Sequence, residues 1–335
     1  MHVNKGDKIL IYAGGGGGDI ASAGYLYMKL SKFVRGVYLA ALPWERFVID
    51  PIPGPISSSE LKNVSRLGDY SYIIYRDSYA MRGDKKVIFQ AVNLSKILMA
   101  PIYVVTAEYG VKGIYNGLKE VIDYLNPTYV IGLDVGGDIL AIGTEDDLWS
   151  PLADQMGLAA LYKLDSDGYK TIVAVFSPGS DGELDSEYVL NRIRNIMKRG
   201  GLYGVLGYGY DDLTYINQIL NSVYTEAGSN IKYALEGYVG ERSIRDGTRK
   251  VSVDIYTTMV FFLKTELVYK DSILARKIIN SDSIEDANDI IIRMGIPTEY
   301  LFEKRLYEIM SRGVEINSKV ILNTWDKLKN DLRRY

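Results

Sequence analysis

The chain contains no cysteine. That excludes disulfide frameworks, thiolate zinc sites, iron–sulfur clusters and cysteine nucleophiles. Histidine is nearly absent as well: the single one, His2, sits beside Met1, where chain ends fray. Zinc sites built on histidine pairs and triads with a histidine base are therefore out of reach. There is no excess of either charge, with Lys+Arg 39 against Asp+Glu 42 and a formal charge of −3. A general polyanion binder would be basic, so nucleic acid is not an expected partner. The N-terminus lacks the basic and long apolar regions of a signal peptide. The most apolar later stretch, Thr257 to Leu263, is far short of the ~20 residues that span a bilayer. A cytoplasmic protein without a membrane partner is expected.

What the chain does have is 335 residues, enough for a large α/β core or two domains, with 33 glycines and 28 tyrosines. Apolar runs of strand length alternate with helix-length amphipathic segments through the first 225 or so positions. Lys8 to Ala13, Gly36 to Leu42, Tyr70 to Tyr75, Lys86 to Phe89, Ile102 to Thr106, Thr128 to Leu133, Thr171 to Phe176 and Leu202 to Leu206 read as strands. Between them, Ile114, Leu118, Val121, Ile122 and Leu125 form a helical stripe that Asn126-Pro127 ends. Val189, Ile193, Ile196 and Met197 form another, closed by basic residues and glycine. This alternation predicts βα units, hence an α/β fold with a mostly parallel sheet. Val251 to Ile255 alternates and suits an edge or late strand. From Thr265 onward the pattern is helical, with Ile321, Trp325, Leu328 and Leu332 on one stripe. Two parts are expected: residues 1–264 as the α/β domain, with a ligand crevice at its strand ends, and 265–335 as a helical extension packed on it or capping it. The tyrosines and the Trp325 stripe also point to a homodimer.

Ligands of open parallel sheets bind beyond the C-terminal ends of the strands. Three glycine-rich loops stand there. The first is Gly14, Gly15, Gly16, Gly17 and Gly18 followed by Asp19. Successive glycines permit positive φ and close approach of backbone amides, and a helix N-terminus favours an anion. The loop lacks the Lys and Ser/Thr of a P-loop, and the GxGxxG fingerprint fails in every frame. A phosphate held there would be repelled by Asp19 unless a cation bridges them or Asp19 meets a ribose or base. The plain alternative is a tight turn without a ligand.

The second loop is Asp134-Val-Gly136-Gly137-Asp138, with Glu145, Asp146 and Asp147 after it. Two carboxylates four apart around glycines can hold a hard cation such as Mg²⁺, which takes oxygen ligands and shares them with phosphates. Asp134 and Asp138 are the metal candidates, and Glu145 is the candidate for orienting an attacking water or hydroxyl. The structural alternative has Asp134 capping a turn and Asp138 starting a helix. Asp154 reads equally well as a helix surface residue. The third loop carries Gly207 and Gly209, candidate cofactor contacts, before Asp211 and Asp212. Glu108 also stands at a strand end, and the turn Ser177 to Gly182 can line the crevice. Arg242 and Arg245 would face a phosphate together if their segment were helical.

Gly14 to Asp19, Gly132-Leu-Asp134-Val-Gly-Gly-Asp138, Glu145 and Ser150-Pro-Leu-Ala-Asp154 resemble a mainly archaeal family catalogued as domain of unknown function 1152. The resemblance runs over most of the chain. It implies an archaeal source and a Rossmann-like three-layer sandwich, and it brings no catalytic residue with it.

Three functions fit these loops. One is a Mg²⁺-assisted enzyme transferring or hydrolysing a phosphoryl group of a nucleotide or phosphometabolite. The second is a regulatory protein that holds a nucleotide or adenosyl cofactor without turning it over. The third is an oligomeric scaffold whose glycines are purely structural.

Overall fold

The apolar run Lys8–Ala13 forms β1, covered on both faces: Ile9, Ile11 and Ala13 enter one core, Leu10 and Tyr12 the other. That double burial is what a continuous apolar strand requires. The computed structural model describes residues 4–332; His2 lies outside them. After β1 come β2 (Gly36–Ala41), β3 (Leu61–Arg66), β4 (Ser71–Arg82), β5 (Lys85–Val87) and β6 (Ile102–Val105). Then follow β7 (Tyr129–Val135), β8 (Thr171–Phe176), β9 (Leu202–Gly207), β10 (Gly240–Ile244), β11 (Arg249–Val253) and β12 (Met259–Lys264).

Among the described residues, ten strands form one sheet in the order β3-β4-β6-β2-β1-β7-β8-β12-β9, with β5 paired to β4. Parallel pairing is confined to its centre, β6-β2-β1-β7-β8. Both flanks are antiparallel: β4 against β3, β5 and β6, and β12 against β8 and β9. The mostly parallel sheet expected from the sequence is therefore corrected to a mixed one. The physical reason lies in two stretches that depart from strand–helix alternation. Residues 61–87 run as hairpins with no room for crossover helices, and antiparallel neighbours need none. β12, buried from Val260 to Leu263, inserts between β8 and β9 after the chain has left the sheet for the β10–β11 hairpin.

Helices cover both faces, giving a Rossmann-like α/β architecture. Gly17–Leu30, Gln90–Leu98 and Leu213–Leu220 lie on the face of Ile9 and Ile11. Gly110–Leu125, Pro151–Ser166 and Ser186–Lys198 lie on the other. The segments Thr265–Asp271, Ile273–Ile278 and Ile284–Arg293 pack outside Pro151–Ser166. That helix is consequently buried nearly all round, Asp154 included. Trp325 is engaged within the chain, stacked on Trp149 at 4.2 Å between ring centroids with Phe302 at their edges. No helix among the described residues is long and apolar enough to cross a membrane.

From β1 the chain crosses through Gly17–Leu30 to β2 on one side, and from β7 through Pro151–Ser166 to β8 on the other. The order reverses between β1 and β7. Crevices open at such switch points, outside the carboxyl ends of the strands.

Candidate functional site

Ala13 of β1 pairs with Leu133 of β7, so Gly14, just past β1, comes beside Asp134, which β7 still carries before the chain turns at Gly136. The helix Gly17–Leu30 starts at once, with Gly16 as N-cap and no side chain on its first amides. Asp19, in its first turn, accepts a hydrogen bond at Oδ1 from Val135 N–H at 2.8 Å, tying helix to β7. Asp134 Oδ2 accepts from Ile139 N–H at 3.1 Å, and Asp138 begins the short 3-10 turn Asp138–Leu140. The capping roles of the structural alternative are thus present, and both carboxylates also line a cleft of about 530 Å³.

Asp19, Asp134 and Asp154 each bring a carboxylate oxygen within 4.8 Å of the others, and Asp138, Asp181 and Glu183 do the same. All six are buried. Burial, then Asp134, pushes the Asp19 carboxyl well above the usual range, against the Val135 N–H. Burial raises Asp134 to about 6, although Ile139 N–H and Asp138 pull it down. Asp138 is driven well up by burial and then Asp154, and Asp154 by burial and then Asp134. Asp181 reaches about 7, from burial and then Glu183, and its Oδ1 is buried without a hydrogen-bond partner. Carboxylates so close and so dry cannot all ionise together unless a cation joins them.

Glu183 differs from the other five. Both its oxygens are already engaged, by Trp149 N–H and Ser150 N–H at 2.8 Å each, Ser150 Oγ at 2.5 Å and Arg249 at 3.0 Å. Burial opposes its charge, yet Arg249 and then Arg245 hold it down to about 2. It is an ionised anchor fixing the start of helix Pro151–Ser166 and the β10–β11 hairpin. Of the other two, Asp138 is bonded to Asp134, and Asp181 keeps an oxygen without a partner.

A second wall is basic. Arg46 follows β2, while Arg245 and Arg249 come from the β10–β11 hairpin; all three line the cleft. Glu226 joins the two elements, accepting from Arg245 N–H at 2.9 Å and pairing with Arg46 at 3.3 Å. Arg249 lies over Trp149, 4.5 Å from its ring centroid. The helix Glu299–Ser311 closes the cleft from the C-terminal side. Its Glu299 caps the helix Pro151–Ser166 through Leu152 N–H and Ala153 N–H. Its Glu303 accepts from Trp44 Nε1 and Gly54 N–H.

Of the residues singled out in the sequence, Gly15 to Gly18, Asp19, Asp134 and Asp138 share this cleft. Gly14 lies just behind it, against Tyr12 and Asp154. Gly136 and Gly137 shape the turn between the two aspartates, with φ 108° and 106°. Glu145 lies elsewhere: it accepts from Ile142, Gly143 and Thr144 N–H and from the Tyr188 hydroxyl. Burial opposes its charge, but Tyr188 and the loop amides hold it below the usual range. Gly207 and Gly209 stand at the far edge of the sheet, with nothing within 4 Å of a Cβ built there. Glu108 binds Ser58 through N–H and Oγ. The basic segment forms a hairpin and not a helix, so Arg242 turns to Asn230 and Tyr233, and of that pair Arg245 alone enters the cleft.

Sequence reasoning missed Glu183, Arg249, Arg46, Glu299 and Glu303, each set by contacts between distant segments. Asp154 did carry a signal: Leu152, Ala153, Met156, Leu158, Ala159 and Ala160 surround it with apolar residues on every side, the mark of a buried helix. No curated protein and no solved structure matches the chain. A family model described as a protein of unknown function, DUF1152, matches residues 10–307, and the chain belongs to that family.

Proposed function

We propose that the cleft binds a divalent cation together with a phosphorylated small molecule, a nucleotide or a phosphometabolite, and promotes phosphoryl transfer or hydrolysis. The observation that carries this reading is the pair of buried carboxylate groups at the ends of β1, β7 and β8, with Asp181 Oδ1 unpartnered among them. Hard cations such as Mg²⁺ take oxygen donors of this kind and share their remaining positions with phosphate oxygens. Asp134 and Asp138 are the central ligands in this proposal, with Asp19, Asp154 and Asp181 around them. The uncapped amides at Gly16 to Gly18 supply donors for the phosphate. The bound cation answers the repulsion that Asp19 would otherwise exert on an anion. A cleft of about 530 Å³ falls within the size range of small-molecule sites. Glu145, Gly207 and Gly209 have no part in it.

The test is calorimetric titration with Mn²⁺ or Mg²⁺, followed by thermal unfolding with a nucleotide panel in the presence and absence of the metal. Stabilisation that needs both partners, and its loss in Asp134→Asn and Asp138→Asn, supports the reading. Titrations in both variants that match the wild type return the loop to a structural role. No lysine lines the cleft among the described residues, which favours a second reading: the nucleotide is held without turnover. Binding with no product released distinguishes it.

A further inference from the structure

The turn between β10 and β11 is built against the preference of one of its residues, Arg245. Gly247 N–H bonds to Ile244 C=O at 3.1 Å, and the two residues inside that turn, Arg245 and Asp246, have φ 54° and 53°. Asn, Asp and Gly are the residues such a turn favours. An arginine held in a left-handed conformation is an outlier from which a role can be sought. Its guanidinium enters the cleft, where the carboxylate beside it is Glu183, at 3.7 Å. Glu183 also pairs with Arg249 at 3.0 Å, so Arg245 shares this carboxylate and holds the longer of the two contacts. Burial, and next the charge of Arg249, lowers Arg245 to about 9, and Arg46 adds to the effect. Arg46 is answered by Glu226 and Arg249 by Glu183, which leaves Arg245 with only the longer contact to a carboxylate it shares.

We infer that Arg245, flanked by Arg46 and Arg249, is an anion subsite for a second phosphate, and that the ligand is a polyphosphate of the nucleoside di- or triphosphate class. The inference rests on the proposed reading of the cleft and names its substrate class. The spacing supports it. A Glu183 carboxylate oxygen is 3.7 Å from Arg245 and another contact of that carboxylate places it within 4.8 Å of Asp138 and Asp181. The guanidinium wall and the carboxylate floor are therefore neighbours, as adjacent phosphates of one chain require. A planar guanidinium with several free N–H groups matches phosphate oxygens in pairs.

The experiment measures Mn²⁺, pyrophosphate and inorganic phosphate binding by calorimetry on the full chain, in wild type, Arg245→Asn and Arg245→Lys. Asparagine suits the backbone conformation, so Arg245→Asn should fold at least as well as the wild type. Pyrophosphate with Mn²⁺ should bind the wild type more tightly than inorganic phosphate does. Arg245→Asn should lose about tenfold or more of that affinity, Arg245→Lys less, while Mn²⁺ affinity alone stays within about twofold. Wild-type pyrophosphate affinity in Arg245→Asn, or no preference for pyrophosphate over phosphate, overturns the subsite and leaves the cation site standing. Failure of Mn²⁺ to bind the wild type removes the cation site instead. The subsite is then judged by pyrophosphate binding without metal, where equal affinity in Arg245→Asn again overturns it.

Discussion

Two glycine-rich loops leave neighbouring strands at the same edge of the sheet, yet they need glycine for different reasons. After β7, Gly136 and Gly137 have φ 108° and 106°, a conformation that residues with a Cβ rarely adopt. After β1, none of Gly14 to Gly18 has a positive φ. There the constraint is space. A Cβ built at Gly17 would lie 2.5 Å from the Tyr224 carbonyl oxygen, one at Gly18 2.6 Å from Val135 Cγ1, and one at Gly16 3.1 Å from the Trp44 carbonyl oxygen. The first loop is thin so that three segments can close around a helix N-terminus. The second is bent so that Asp134 and Asp138 can approach each other. A run of glycines in a sequence does not say which of these it serves.

The comparison breaks most visibly at Gly137. Alanine there meets an unfavourable φ and also Val189 Cγ1 at 2.5 Å from the new Cβ. The combined strain is expected to cost about 2–4 kcal/mol of stability, measured by urea unfolding. An alanine variant as stable as the wild type would show that this turn is not what holds the loop. Gly17→Ala comes next. Its backbone is free of φ strain, but the Tyr224 carbonyl is main chain and must move. The expected loss is about 1–3 kcal/mol, and it should come with weaker cation-dependent ligand binding, since Tyr224 to Ala227 wall the same cleft.

The carboxylates sharpen the comparison in the opposite direction. Asp154 Oδ1 approaches the first loop, 3.9 Å from a Cβ built at Gly14, and it adds charge to a group that burial already disfavours. Asp154→Asn keeps the shape and removes a carboxyl whose ionisation burial and Asp134 oppose, so the metal-free protein should gain about 1 kcal/mol near neutral pH. Stabilisation by Mn²⁺ should fall at the same time. A variant whose metal-free transition temperature drops would mean that the charge at Asp154 supports the fold rather than a cation.

The parts legible in the sequence were those fixed by short-range pattern. Lys8 to Ala13 followed by the glycine run gave β1 and the helix after it, and Ile114 to Leu125 gave the helix on the opposite face. Asp134 and Asp138 were found because four residues with two glycines between carry their own geometry. What escaped depends on segments that meet only in the folded chain. The apolar run Thr257 to Leu263 is legible in sequence only as too short to span a bilayer; nothing local in Met259 to Lys264 says that it pairs antiparallel between β8 and β9. β4 extends to Arg82 with its ladder running against β6, and that direction follows from hairpin connections, not composition. Glu183 and Arg249 are 66 positions apart, and neither has a motif around it. Arg242 and Arg245 face one ligand together only from a helix; the hairpin sends the two side chains to different neighbours.

The smallest effect belongs to Gly14, and it tests whether the first loop is one unit. A Cβ at Gly14 would meet Tyr12 Cε1 at 3.6 Å and Asp154 Oδ1 at 3.9 Å, both ordinary contacts. Its φ is not in the left-handed region, and alanine reduces the freedom of the unfolded chain. Gly14→Ala should therefore change stability by no more than about 0.5 kcal/mol in either direction. Gly14 stands behind the cleft wall, against Tyr12 and Asp154, where the remaining void is only about 10 Å³. Affinity for Mn²⁺ and for pyrophosphate should accordingly stay near that of the wild type, unlike Gly17→Ala. Unfolding curves and calorimetry on the same preparation separate the outcomes. A large loss of affinity at unchanged stability would place the ligand against Gly14, and the five glycines would then form one ligand cradle instead of a packing seam with a cradle at its end.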